Sequence, residues 1–286
     1  MKRSDATAYQ NNIMRYYSNR KDRVRPMKNT ITIGIVSVLL ILSLTLTGCV
    51  GGDDQLKAIR DRGVLRVGAK VDVPRFGYLN PDTGEMEGME IELALAIAKD
   101  ILGNEDAVRF SNITAQTRGP MLDNGEIDLV IATFTITEER KKSFNFSRPY
   151  YTDELGFLVR ADGTITRPED LDGKSAGVAQ SSTAATAFPD ECARLGIEVN
   201  ALDFSSYPEI KAALTSGAID AFVADKSILF GYLDDSCLLL DAGFNPQQYG
   251  IACKLDNDKL AARVEALVEA MEKNGALAAI CEKWGL

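Results

Sequence analysis

The chain has 286 residues, with 41 acidic and 32 basic side chains and no histidine. The missing histidine excludes imidazole acid/base catalysis and histidine metal sites, and a net charge of −9 disfavours nucleic acid and anionic membrane surfaces as partners. The length admits one large domain or two modest ones.

Lys21, Arg23, Arg25 and Lys28 precede an uncharged stretch, 29–52, whose segment 31–47 is dominated by Ile, Val and Leu and ends in Leu46-Thr47-Gly48-Cys49. A basic flank, an apolar core and small residues at its end make an export signal. A run of this length also suits an uncleaved membrane anchor. The Leu-Thr-Gly-Cys ending resembles a lipoprotein signal, which implies removal of residues 1–48 and lipidation of Cys49, and hence an extracytoplasmic protein anchored to the cell membrane. Met27-Lys28 opens a signal of ordinary length and is an alternative start. The first 48 residues carry eight Lys/Arg and two Asp/Glu, so the remaining 238 hold 24 basic and 39 acidic side chains, a formal charge of −15. On so acidic a surface, any basic residue in a pocket is informative. Cys192, Cys237, Cys253 and Cys281 show no CxxC spacing, so neither a zinc nor a redox motif is indicated. They are either disulfide-bonded, as export allows, or free and buried.

Strands and helices alternate along the rest. A short helix over 54–62 stops at Gly63, and a strand follows over 64–71. Residues 90–102 are amphipathic, with Ile91, Leu95 and Ile97 near helical spacing. A strand is expected over 107–110, a short helix over 120–124 and a continuous apolar strand over 127–132, broken only by Asp128. Thr137 opens a helical turn, 137–142, as an N-cap with Glu138 and Glu139 in the first turn. A second series follows: strands over 155–159 and 175–179, a helix over 183–195, a strand over 199–204, a helix over 208–216, a strand over 221–224 and a helix over 227–233. After 238–240 the chain returns through Asn245-Pro246-Gln247-Gln248 to a strand over 249–254. A helix over 258–274 has Leu260, Val264, Leu267 and Met271 as one apolar stripe, and Gly275 separates it from a last helix ending at Trp284. Such alternation predicts an α/β protein with largely parallel sheets, in which ligands bind at the carboxyl ends of strands beside helix N-termini.

The segment Ala132–Arg140 lies at such a place. Loose backbone amides there hold anions, the hydroxyls of Thr133 and Thr135 add hydrogen bonds, and Arg140 grips a carboxylate in two-pronged fashion; the alternative is a capping box with a surface arginine.

Gly68–Gly77, Gly88-Met89-Glu90-Ile91-Glu92, Ile127–Arg140 and Phe144–Tyr151 resemble, in order, motifs of the extracytoplasmic solute-binding proteins that serve polar amino acid ABC transporters. Lys211–Leu214, Asp220–Asp225, Tyr249-Gly250-Ile251 and Lys283-Trp284-Gly285 extend the likeness over almost all of the chain after the signal. Gly68-Ala69-Lys70 and Thr117-Arg118-Gly119-Pro120 are similar to the aspartate/glutamate-binding members. The resemblance implies a two-lobed periplasmic binding protein fold, with two mixed, mostly parallel sheets joined by two hinge strands. Lobe 1 would be 53–150 plus 250–286 and lobe 2 155–244, with hinges near 150–154 and 245–249. It implies a monomer that delivers its ligand to an ABC permease, with no cofactor, no metal and no catalytic residue.

The resemblance also implies roles for residues. Arg140 would clamp the α-carboxylate, helped by the Thr135 amide and Thr183. Asp225 would take the α-ammonium with the Thr135 hydroxyl and the Thr133 carbonyl; its other reading is a helix N-cap. Lys70 and Arg118 would supply two cations for a side-chain carboxylate. Cations without a counter-charge in a closed cleft are costly and reject neutral ligands. Tyr207 and Tyr249 would add hydroxyls, and Phe76 either walls the cleft or belongs to the core. Any disulfides would stay within lobes, as Cys192–Cys237 and Cys253–Cys281. Two departures from the family stand out. Stretch 180–183 lacks a frequent glycine, which puts the anion contacts of Ser182 in doubt, and Arg75 replaces a proline or aromatic. Other roles on this fold are a binding protein for a different polar amino acid, a sensor or adhesin, and a dehydratase-like enzyme, against which stand the retained Asp225 and the absent histidine.

Overall fold

The computed structural model describes residues 54–286; the expected export signal, the alternative start Met27 and the expected lipidation position Cys49 lie outside them. Helix α1 (Gln55–Arg62) is capped by the Asp54 carboxylate, which accepts from the Lys57 amide at 3.1 Å. It leads into β1 (Leu65–Ala69), then into a small antiparallel ribbon of β2 (Asp72–Val73), β3 (Gly77–Leu79) and β4 (Met86–Glu87). The sequence gives no sign of this ribbon, because strands of two or three residues carry no alternation to read. In the connection 80–85 the Asn80 side chain accepts from the Asp82 amide at 2.9 Å, an Asx turn.

Helix α2 (Met89–Leu102), β5 (Val108–Asn112), α3 (Arg118–Asp123), β6 (Leu129–Val130), α4 (Glu138–Lys141) and β7 (Phe144–Phe146) complete the first series. Strand β8 (Tyr151–Arg160) opens the second. It continues with β9 (Ser175–Ala179), α5 (Thr183–Leu195), β10 (Asn200–Phe204), α6 (Tyr207–Ser216), β11 (Ala221–Asp225), α7 (Lys226–Gly231) and β12 (Cys237–Leu239). Strand β13 (Phe244–Tyr249) brings the chain back to β14 (Ala252–Lys254), and α8 (Asp258–Lys273) and α9 (Ala276–Lys283) close it. Helices α5 and α6 end at Gly196 and Gly217, which take the left-handed conformation (φ 71° and 78°) that releases the chain toward the next strand.

The fold is two-lobed, with one main sheet in each lobe. The first runs β5-β1-β6-β14-β7 and the second β10-β9-β11-β8-β12, with β13 also on β8. Strands β5, β1 and β6 are parallel, as are β10, β9 and β11. These are the strands linked by crossover helices, which is why alternation revealed them. The others are antiparallel and enter on direct returns that leave no such pattern. Strands β8 and β13 pair from Tyr151↔Tyr249 onward and lie side by side where the chain passes from one sheet to the other.

Packing follows the helical stripes. In α2, Met89, Leu93, Ala94 and Ile97 are buried against Leu65, Val67 and Leu129 of the first sheet. In α8 the buried stripe is Leu260, Val264, Val268 and Met271; Leu267 is only half-buried, one position off the expected face. A second cluster, with Leu155, Phe157, Val178, Phe188 and Val223, fills the far side of the second sheet.

The four cysteines of this region are all free, the second of the two readings the sequence leaves open, so neither Cys192–Cys237 nor Cys253–Cys281 is bridged. Cys192 belongs to one apolar cluster and Cys237 to another. Cys253 is buried and directs its thiol toward the Asn257 carbonyl at 4.0 Å. Cys237 and Cys253 share one cluster, with the half-buried Cys281 packed against it, and all four act as small apolar fillers.

The two lobes also touch at a corner formed by Asp72–Arg75 and Phe230–Tyr232. The Tyr232 hydroxyl donates to the Asp72 carbonyl. The Arg75 guanidinium lies 4.6 Å from the Phe230 ring centroid, and Arg75 holds a positive φ of 73°. A Cβ on Gly231 would meet three Pro74 side-chain atoms at 3.1 to 3.3 Å. Gly231→Val is therefore expected to obstruct closure at a cost of about 1–3 kcal/mol. The effect should appear as weaker ligand binding with an unchanged melting temperature of the ligand-free protein; equal affinity would show that this corner does not bear on closure.

Candidate functional site

The carboxyl ends of β1, β6 and β11 and the N-termini of α2, α3 and α5 converge on one buried polar region. Lys70 follows β1 and is 3 % exposed. Its Nζ is 3.4 Å from Asp72 Oδ1 and 4.6 Å from the centre of the Tyr207 ring. Arg118, the first residue of α3, is 4 % exposed. Its Nη1 donates to the carbonyls of Ala132 and Thr133 at 3.0 and 3.4 Å, and its guanidinium stacks 3.9 Å from the Phe134 ring centre. Both cations are thus interior, not solvated surface charges.

The loop after β6 supplies the middle of the site. Thr133 has φ 44° and donates its amide to Glu90 Oε1 at 2.5 Å. The Thr135 carbonyl accepts from Arg140 Nη1 at 2.7 Å. Thr137 caps α4 as expected, accepting from the Arg140 amide at 3.1 Å, so the cap and the inward guanidinium coexist. The guanidinium of Arg140 also lies 4.7 Å from the Phe134 ring centre, and Nη2 donates to the Ser181 carbonyl in the other lobe at 3.3 Å. Burial and the neighbouring Arg118 charge lower its pKa to about 9.

Opposite stands Asp225, at the end of β11. It occupies the N-cap position of α7 but makes no capping hydrogen bond, so the N-cap does not account for it. Its Oδ1 is buried without a partner. Burial, and then the nearby Asp153 carboxylate, raise its pKa to about 7. Asp153 is held by the Ser227 amide at 3.0 Å and by the Tyr249 hydroxyl at 3.3 Å. Thr183 opens α5 and donates to Gln247 Oε1 at 2.7 Å; Thr135 donates to the same oxygen at 2.7 Å. Ser182 spends its hydroxyl capping α5, where it accepts from the Ala185 amide at 3.2 Å. Without the family's glycine in this turn, Ser181 takes the positive φ of 60° itself. Phe76 is fully buried against Tyr151 and Tyr249, with ring centres 5.2 and 6.0 Å away, and belongs to the core cluster. Tyr207 and Tyr249 are 4 % and 0 % exposed, and burial raises both pKa values well above that of free tyrosine.

Besides Asp72, the ion-pair partner of Lys70, two further site residues were not expected from the sequence. Gln247, in the strand that returns between lobes, ties Thr135 to Thr183. Glu90 is 0 % exposed, accepts from the Thr133 amide and the Tyr150 hydroxyl, and faces the charges of Lys70 and Arg118. Burial raises its pKa to about 7. A signal existed: Glu90 sits on the same helical face as Leu93, Ala94 and Ile97, a carboxylate on a buried apolar stripe. With Asp72 and Glu90 beside them, Lys70 and Arg118 have counter-charges. The electrostatic ground for rejecting a neutral side chain is correspondingly reduced.

Two carboxyls with raised pKa bind more protons in the folded than in the unfolded chain between pH 4 and 7, so stability falls as pH rises through that window. The ligand-free protein should melt higher at pH 5 than at pH 8. Equal melting temperatures would mean that neither carboxyl is held in its neutral form.

Residues 65–286 match the model of the bacterial extracellular solute-binding proteins, family 3. The chain is 36 % identical over 271 residues to the ABC transporter glutamine-binding protein GlnH of Bacillus subtilis, covering 90 % of this chain and 97 % of the relative. It is 32 % identical over 267 residues to the glutamate-binding protein GluB of Corynebacterium glutamicum, covering 87 % and 88 %. Among solved structures, an ancestral arginine-binding protein bound to glutamine aligns with TM-score 0.70 and 35 % identity, covering 78 % of this chain and 98 % of that one. A model spanning most of the chain and a relative matched over nearly its whole length lead to one conclusion: the chain belongs to the bacterial extracellular solute-binding proteins, family 3, as a binding protein and not an enzyme.

Proposed function

We propose that this protein captures a free amino acid with an acidic or amide side chain between its lobes and hands it to an ABC permease, while lipidated Cys49 tethers it to the outer face of the cell membrane. One observation carries the reading. Among the described residues, the buried side-chain polar atoms without a hydrogen-bond partner are Asp72 Oδ1, Glu90 Oε2, Arg118 Nε and Asp225 Oδ1. All four belong to the polar region at the carboxyl ends of β1, β6 and β11. Buried polar groups are almost always satisfied, and each one left without a partner costs about 1–3 kcal/mol. A polar ligand that answers them recovers that cost.

A zwitterion suits the arrangement. Arg140, the Thr135 amide and the start of α5 at Thr183 receive the α-carboxylate; a thirteen-residue helix adds its positive end there. Asp225 takes the α-ammonium, with the Thr133 carbonyl and the Thr135 hydroxyl. Lys70 and Arg118 then offer donors to the side-chain oxygen, while Asp72 and Glu90 supply acceptors. That set serves glutamate, aspartate and glutamine, in keeping with the named ligands of the Bacillus and Corynebacterium relatives.

A thermal-shift screen of the protein against the twenty amino acids tests this. Glutamate, aspartate or glutamine should dominate, by about 4 kcal/mol when the ligand stands near 1,000 times Kd. Dominance of lysine, arginine or an aliphatic amino acid would contradict the side-chain assignment.

A further inference from the structure

We infer that Glu90 sets side-chain selectivity in this cleft through its proton: with Glu90 neutral the subsite takes a carboxylate, and with Glu90 ionised it takes a carboxamide. The inference rests on the amino-acid reading above. It is carried by position. Glu90 lies in the first turn of α2 with its carboxyl fully buried. One oxygen, Oε1, is occupied by the Thr133 amide and the Tyr150 hydroxyl. The other, Oε2, has no partner.

The ionisable groups bearing on that carboxyl come from every element around it. They are Lys70 after β1, Arg118 on α3, Tyr150 before β8 and Tyr207 on α6. Asp72 pairs with Lys70, Asp225 faces Arg118, and Asp153 is held by Ser227 and Tyr249.

Arg140 and Asp225 are balanced by the α-groups of any amino acid. The side-chain subsite is left with Lys70 and Arg118 against Asp72 and Glu90. With Glu90 ionised these four charges cancel, and a neutral side chain completes the site. Its carboxamide N–H donates to Oε2 and its oxygen accepts from a cation. With Glu90 protonated one positive charge is in excess, and an anionic side chain answers it. The carboxyl O–H then donates to the ligand carboxylate. Burial holds Glu90 near the pH at which both forms are accessible.

The test is calorimetric titration of the protein with glutamate and with glutamine at pH 5.5, 7.0 and 8.5. The glutamate side chain, with a pKa of about 4.3, is ionised throughout. Effects on Asp225 and on the α-groups are common to both ligands and cancel in the ratio of their Kd values. The ratio of the glutamate Kd to the glutamine Kd should rise about tenfold per pH unit above pH 7. Glutamate should take up more protons on binding than glutamine does, read from the dependence of the heat on the buffer's ionisation enthalpy. Glu90→Gln keeps an acceptor for Thr133 and Tyr150 and should make the ratio independent of pH. A flat ratio in the unaltered protein overturns the inference, as does a pH-dependent ratio that survives in the variant. If the variant does not fold, the ratio and proton uptake of the unaltered protein decide alone. If neither ligand binds at any pH, the amino-acid reading falls with it; if both bind with equal proton uptake, only the role of Glu90 falls.

Discussion

Asp225→Ala and Arg140→Ala are each expected to abolish binding of every amino acid tested, because they serve the groups that all amino acids share. Truncating one partner of a buried charged pair costs about 2–5 kcal/mol, a factor of roughly thirty to several thousand in Kd. The two variants should differ in the ligand-free state. Asp225 is buried with an unpartnered oxygen and its charge is unfavourable there, so Asp225→Ala should leave the ligand-free protein equally or more stable. Arg140 ties the Thr135 carbonyl to the Ser181 carbonyl across the lobes, so its loss should favour the open form. Calorimetric titration with glutamate, together with melting curves, checks both. Near-normal affinity in either variant would remove that residue from the site.

Arg118→Gln has the next largest expected effect and a more specific signature. The guanidinium holds the carbonyls of Ala132 and Thr133 and stacks on Phe134, while Nε remains without a partner. Its replacement should weaken glutamate or aspartate binding by about 2–5 kcal/mol and glutamine binding by less, because the amide loses a neutral–charged contact and the acid loses a counter-ion. Some loss of melting temperature should accompany this, since a buried side chain that anchors a loop is removed. Equal weakening of both ligands would show that Arg118 acts on the loop alone, and no weakening would place specificity elsewhere.

The strands and helices that the sequence revealed are those with a long periodic pattern and a marked end. Thr183–Leu195 and Ser175–Ala179 match to the residue, because Ser182 and Gly196 punctuate the helix and the strand is a short uncharged run after Lys174. The ribbon of Asp72–Glu87 and the antiparallel pairing of Tyr151 with Tyr249 were not legible, since register between distant short strands leaves no local signature. At the site, the cations and hydroxyls were legible one by one as polar residues at strand ends. Their counter-charges were not. Asp72 lies in a ribbon that the sequence does not announce, and Glu90 is marked only as a carboxylate on the apolar stripe of α2, which signals burial but not its partners. Gln247 is one of two adjacent glutamines in a connecting strand, and only the crossing geometry selects it to bridge Thr135 and Thr183. The cysteines show the same limit from the other side: spacing permits pairs, and for Cys192 and Cys237 only their placement in separate clusters keeps the thiols apart.

Isothermal titration of the protein with glutamate and glutamine, beside N-acetylglutamate and the α-methyl ester of glutamate, bears most directly on the cleft between Arg140 and Asp225. One-site binding of at least one free amino acid, lost when either the α-ammonium or the α-carboxylate is blocked, is the predicted result. Undiminished binding of the blocked compounds, or no heat with any free amino acid, would contradict it.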